Sequence, residues 1–205
     1  MERAAEIELA RQLLAGDPEA FDRFVDHFRA KIFHYSQIVC GHREDAEEVV
    51  QETLLKVFEN FDQLRDPEHV RAWVFRIAKN ACLMKRRKSV YAPRQELSLD
   101  EFLPARGADG DPVKIEIADW SGIPENGVLR SELQHVLEDA IANMPEIYRS
   151  VMLLRDVEEL STEETAQVLD LNPDAVKTRL HRARLLARRT LDTYLRAKPQ
   201  PVEEN

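Results

Sequence analysis

Between residues 172 and 189 the chain reads NPDAVKTRLHRARLLARR, with Lys177, Arg179, Arg182, Arg184, Arg188 and Arg189 set around one apolar stripe. Guanidinium and ammonium groups at this density hold anions, and an Arg fork can also read the edge of a base. A basic helix with an apolar back is equally what a plain solvated face looks like, so the cations alone leave two readings open. Side chains suited to covalent chemistry are sparse by comparison. There is no P-loop and no nucleophile motif, and His34, Cys40 and His42 are too loosely grouped to be read as metal ligands. No cofactor is expected, and the chain is not predicted to be an enzyme.

The elements that must position those cations follow from local signals. Asn172 suits an N-cap, and Pro173 suits the first helical position, where a missing N–H costs nothing. Val176, Leu180, Ala183, Ala187 and Leu191 then recur at spacings of four, three, four and four, the buried stripe of an α-helix. Upstream, LSTEETAQVLDL places Ser161 and Glu164 at capping-box spacing, so a helix is predicted from Thr162 to near Asp170. Two capped helices joined by a short turn form the pattern of a helix-turn-helix, whose second helix enters the DNA major groove. Ala166 is the small residue at the crossing. Where this turn often carries Gly the chain has Asp170, which tolerates the left-handed conformation better than most residues.

Two helices nearer the N-terminus also carry signals. In EDAEEVVQETLLKVFENF, Ala46, Val50, Thr53, Leu54, Val57 and Phe61 form the predicted buried side. Glu48, Gln51, Glu52 and Glu59 lie opposite, with Leu55 among them. Such a Leu is either an ordinary exposed apolar residue or a contact anchor, and an acidic face of this kind suits a basic protein partner, not DNA. In PEHVRAWVFRIAKNACLMKRRK, Val70, Trp73, Val74, Ile77, Ala78 and Ala81 are predicted to be buried. Arg76, Lys79, Arg86 and Arg87 lie on the other side, with Asn80 at the margin. Basic residues in a last helical turn also match the dipole, yet a basic helix with a marginal Asn can hold phosphate and hydrogen-bond a base.

Composition bounds the rest. The 205 residues suffice for one large domain or two small ones, and six Gly with few alternating β-branched runs argue for an all-α chain. No apolar run is long enough to span a membrane, and the start lacks the apolar core of a signal peptide. Cys40 and Cys82, the only cysteines, imply a reducing compartment, so a cytoplasmic protein is expected. The net charge of −9 is uneven. Nine basic residues between Arg65 and Arg94 face only Asp66 and Glu68, whereas 95–127 holds eight acids against Arg106 and Lys114. The local field, not the sum, decides where a polyanion docks. Pro and Gly in 91–128 mark a flexible acidic linker between helical domains at 5–90 and 129–196, and 197–205 is a tail predicted to be disordered.

The set DAEEVVQETLLKVFENF, RAWVFRIAKNACLMKRRK, MPEIYRSVMLLRDVEELSTEETAQVL and VKTRLHRARLLAR resembles the extracytoplasmic-function (ECF) sigma factors of the sigma-70 family over nearly the whole chain. The resemblance implies an RNA polymerase specificity subunit with sigma domain 2 at 5–90 and domain 4 at 129–196. Asp45, Glu48, Gln51, Glu52 and Leu55 would dock on the clamp helices of core RNA polymerase. Arg76, Lys79, Asn80, Arg86 and Arg87 would bind and open the promoter minus-10 element. Lys177, Thr178, Arg179, His181 and Arg182 would read the minus-35 element, while Arg184, Arg188 and Arg189 would hold backbone or, in part, the flap region of polymerase. The linker acids Asp100, Glu101, Asp109 and Asp111 would thread the polymerase cleft or act as a solvated tether, and an anti-sigma factor is an expected partner. Asp170 and Asp174-Ala175 depart from the Gly and Gly-Thr often found in the family. The competing readings are a dimeric helix-turn-helix regulator that binds operators alone and, less favoured, an enzyme acting on nucleic acid.

Overall fold

A computed structural model describes residues 2–88 and 127–197. The expected linker up to residue 126, with its acids and Trp120, and the tail beyond residue 197 lie outside them. Among the described residues the chain forms eight α-helices and no strand. The first half comprises α1 (Glu2–Leu14), α2 (Ala20–Cys40), α3 (Arg43–Asn60) and α4 (Val70–Lys88). Their boundaries have local causes. The Asp17 carboxylate accepts the Glu19 N–H at 3.0 Å in the turn before α2. Gly41, at φ 82°, ends α2 in the left-handed conformation that a residue without Cβ adopts cheaply. Asp66 accepts the Glu68 N–H at 3.0 Å and caps the short 3₁₀ turn Pro67–His69 that leads into α4.

Aromatic side chains fill the space between these helices. Phe24 and Phe28 of α2 have ring centroids 4.4 Å apart, and Tyr35 meets Phe75 of α4 edge-on at 5.4 Å. Each such side chain contributes about 1.5–3 kcal/mol by burial, with edge-to-face geometry adding a smaller term. Trp73 packs edge-on against Phe61 at 5.6 Å, which makes it a core residue of the 61–73 corner. Val49, Phe75 and Cys82 are also buried, beyond the single stripes expected from periodicity. The cause is that α3 packs on both α2 and α4, and α4 is also covered by the second half, so each buries a wider arc than a helix lying on one neighbour.

The second half contains α5 (Gly127–Ala142), α6 (Glu146–Met152), α7 (Thr162–Leu169) and α8 (Pro173–Ala197). The first of these starts two residues before the expected boundary. A π-helical turn, Leu153–Val157, continues α6, and Glu159 takes a positive φ of 54° before α7 begins. The capping box forms in full: the Glu164 N–H donates to Ser161 Oγ at 3.1 Å, and the Ser161 N–H donates to Glu164 Oε2 at 2.7 Å. Asp170 closes α7 at φ 56°, ψ 45°, the left-handed turn expected of it. Asn172 Oδ1 accepts the Ala175 N–H at 2.7 Å and opens α8. The stripe Val176, Leu180, Ala183, Ala187 and Leu191 is buried along its length. Val151, Ala166, Val176 and Leu180 form a small core under the helix-turn-helix. Tyr148, Met152, Leu153, Leu154, Leu160 and Val168 join the core of the first half, and α7 lies on α4.

Candidate nucleic-acid interface

The face of α8 turned from the core carries exposed Lys177, Thr178, His181 and Arg188, with Arg179 and Arg182 at its half-buried edges. Helical spacing makes this one surface, since positions 177 and 181, and 178 and 182, are each one turn apart. Lys177 Nζ lies 3.2 Å from Asp174, an ion pair at the solvent-facing start of the helix. Arg184, expected to hold DNA backbone, instead makes a two-pronged pair with Asp156 at 2.6 and 2.9 Å, and this pairing raises the affinity of its guanidinium for its proton. Its charge is therefore partly spent on bracing α8 against the π-helical turn.

The basic side of α4 shows a larger difference from expectation. Lys79 donates to Asp170 at 2.7 Å, and Arg76 lies 3.8 Å from the same carboxylate. The Lys79 ammonium holds the Asp170 carboxyl below its ordinary range. Arg86 pairs with Glu146 of α6. Arg87 lies in the last turn of α4, and its side chain is outside the described set. Asn80 is exposed. Acids of the second half thus occupy cations predicted for DNA, because α7 packs on α4 and Glu146 at the start of α6 reaches Arg86. Lys79 and Arg179, one from each predicted reading set, line a single crevice of about 250 Å³ with Tyr35, Glu146 and Leu169.

Arg71 belongs to the basic run yet is buried. Its Nε donates to Glu6 at 2.6 Å and its Nη1 donates to the Glu158 carbonyl at 2.8 Å, linking the two halves. Burial opposes ionisation of Glu6, but hydrogen bonds from Arg71 and His27 outweigh it and hold the carboxyl low. Glu2, Glu6 and His27 bring possible metal-ligating atoms within 4.8 Å of one another. Lys31, 2.6 Å from Glu2 and 3.3 Å from Glu6, already supplies cationic charge there, which makes the group a poor cation site. Single-sequence periodicity offered no signal for this network, because a buried Arg scores as a surface residue.

The α3 residues expected to dock on polymerase lie mostly toward solvent. Glu48, Gln51 and Leu55 are exposed and Asp45 and Glu52 half-buried. Glu48 is paired with Lys85 and Glu52 with Lys56, so the face is less negative than its composition. Leu55 is 56% exposed, and Phe58, one turn further and unremarked by the sequence pattern, is 63% exposed. Phe58 rests edge-on against Phe21 at 5.0 Å, so the ring is positioned. Exposed large apolar side chains at i and i+3 could have flagged it.

Comparison with known proteins agrees with this geometry. Residues 24–90 match the family described as Sigma-70 region 2, and residues 134–186 match Sigma-70, region 4. The chain is 30% identical to the ECF RNA polymerase sigma factor SigW of Bacillus subtilis over 183 residues, covering 88% of this chain and 94% of that protein. It is 28% identical to an ECF RNA polymerase sigma-E factor of Haemophilus influenzae, covering 89% and 93%. Its fold is similar to CnrH in complex with the cytosolic domain of CnrY, at a TM-score of 0.58 and 24% identity over 95% of this chain and 99% of that one. It is also similar to the sigma factor RpoE in complex with the anti-sigma factor NepR from Bartonella quintana, at 0.59 and 19% identity over 85% and 98%. No helix among the described residues is long and apolar enough to cross a membrane. With an acidic exposed face on α3, a basic α4 and a capped basic helix α8 in one chain, this protein belongs to the ECF sigma factors of the sigma-70 family, the RNA polymerase subunits that direct transcription initiation.

Proposed function

We propose that the chain docks on core RNA polymerase through the α3 face, centred on Leu55 and Phe58 and rimmed by Asp45, Glu48, Gln51 and Glu52. The carrying observation is that two large apolar side chains stand exposed on the side of α3 turned from the core, within an acidic surround. Apolar anchors ringed by charge are the usual composition of an interface centre. Domain 4 reads the minus-35 element through Lys177, Thr178, Arg179, His181 and Arg182, with Arg188 on backbone. Domain 2 engages the minus-10 element through Arg76, Lys79, Asn80, Arg86 and Arg87. Strand opening exposes bases at a cost of about a few kcal/mol per unstacked base, which phosphate pairing and base contacts offset.

Engaging both elements requires the two halves to part. A crevice of about 250 Å³ admits neither duplex nor a single strand, and Asp170 and Glu146 hold the side chains that DNA phosphates would take. The arrangement therefore suits a protein kept from promoters until polymerase separates its domains. The two solved relatives named above are complexes with CnrY and with the anti-sigma factor NepR, and a protein inhibitor of that kind is the expected regulator here.

The test is in vitro transcription on a pool of promoter fragments with core RNA polymerase. Transcripts that start only when this protein is added are expected, and Leu55→Arg should abolish them while leaving the helical circular dichroism unchanged. Tight operator binding by the protein alone, with no stimulation of polymerase, would instead favour a dimeric regulator.

A further inference from the structure

Cys40 ends α2 and Cys82 lies in the second half of α4, and their sulfurs are 3.0 Å apart. Both are free thiols; Cys82 is buried and Cys40 is partly open to solvent. The chain therefore holds two thiols in mutual contact, one of them reachable. From the geometry we propose that Cys40 and Cys82 form a dithiol site, oxidised by a peroxide to an intramolecular disulfide and restored by a small thiol.

The surroundings suit an asymmetric pair. A hydrogen bond from the Cys82 S–H favours the Cys40 thiolate, with Arg86 and Lys85 helping while burial and Asp45 oppose. The same hydrogen bond and burial hold the Cys82 proton firmly in place. Cys40 is thus the attacking sulfur, because the thiolate and not the thiol is the nucleophile. Its thiolate attacks one peroxide oxygen; an S–O bond forms, the O–O bond breaks, and hydroxide leaves and takes a proton to become water. The sulfenic acid so formed is neutral, which removes the negative charge that had kept the Cys82 proton. Cys82 then loses that proton and attacks the Cys40 sulfur. The S–S bond forms, the S–O bond breaks, and the departing hydroxide leaves as a second water. Two thiols have lost two electrons and hydrogen peroxide has gained them. The sulfurs need to approach by only about 1 Å to reach bonding distance.

The consequence is mechanical. Cys82 lies three residues after Lys79 and four before Arg86, both paired with the second half, and Arg149 of α6 donates to the Ile38 carbonyl two residues before Cys40 at 3.0 Å. A bond between α2 and α4 at this level fastens the helix on which α6 rests to the helix on which α7 lies. The chemistry does not depend on the reading given under Proposed function and is tested without polymerase.

The full reduced chain is exposed to hydrogen peroxide, quenched, unfolded and alkylated, and its intact mass is measured. A monomer that takes up no alkyl group, and takes up two after dithiothreitol, is expected. Cys82→Ser should stop at a Cys40 sulfenic acid that dimedone traps, and Cys40→Ser should lose thiol about tenfold more slowly than wild type. Two alkylated thiols in peroxide-treated wild type, a disulfide between two chains, or sulfinic acid at Cys40 would each overturn the proposal. The wild-type measurement needs no variant, so a misfolded mutant leaves the test intact.

Discussion

The side chain that departs furthest from its solution chemistry in a way pH can read is Glu158, where the π-helical turn meets the first half. It is buried, and burial pushes its carboxyl up to about 7, while Lys31 and Arg71 pull it down and Glu6 and Glu2 add to the rise. Because the folded value lies above the unfolded one, the protonated acid is the form the fold prefers. Its contribution is fully present below about pH 4.5 and is lost as pH climbs through 7, a swing of about 3 kcal/mol. Glu158→Gln should accordingly raise the melting temperature at pH 8 and change it little at pH 5, measured by calorimetry at both. An equal effect at the two values would show that Glu158 stays ionised throughout. Nothing in the sequence marked this residue. Its neighbours Glu6 and Arg71 come from α1 and α4, and only the packing of three distant segments brings their charges together.

At the scale of elements, the short helix α7 depends on its ends. Eight residues are too few to hold a helix by propagation alone, so capping and packing carry it. Ser161→Ala removes the acceptor for the Glu164 N–H and should cost about 1 kcal/mol, read as a lower denaturant midpoint with an unchanged slope. Glu164 also pairs with Arg3 at 2.5 Å, so this cap bears on the contact between α7 and the N-terminal helix. Here the sequence was highly legible. Ser161 and Glu164, Asn172, Asp66-Pro67 and Gly41 all mark ends by local hydrogen bonding or backbone freedom, which a linear reading can see. The stripe from Val176 to Leu191 was equally plain, because α8 buries one face. The pattern failed where a helix has neighbours on several sides: Val49, Phe75 and Cys82 were passed over for that reason. For the candidate site, the charge of each residue was legible and its partner in the fold was not. That Arg184 faces Asp156 follows from packing of α8 on the π-helical turn within the second half, and that Lys79 faces Asp170 follows from docking of one half on the other.

Across the whole molecule, a shared apolar core and a handful of ion pairs hold the halves together. Asp170 stands open to solvent, and exposed pairs of its kind are worth about 0–1 kcal/mol, so the core supplies most of the closure and these charges adjust it. Asp170→Asn keeps a residue tolerant of the left-handed turn while removing the charge that engages Lys79 and Arg76. It should leave the fold intact and increase the radius of gyration seen by small-angle X-ray scattering, with wild type approaching the same value as salt is raised. Identical scattering profiles at every ionic strength would show that the pair has no part in closure. The crevice between Lys79 and Arg179 also bears on dosage. If only an open fraction of molecules can engage polymerase and promoter, the apparent dissociation constant is the intrinsic one divided by that fraction. Each further 1.4 kcal/mol or so of closure then demands about ten times more protein in the cell to capture the same share of a limited polymerase pool.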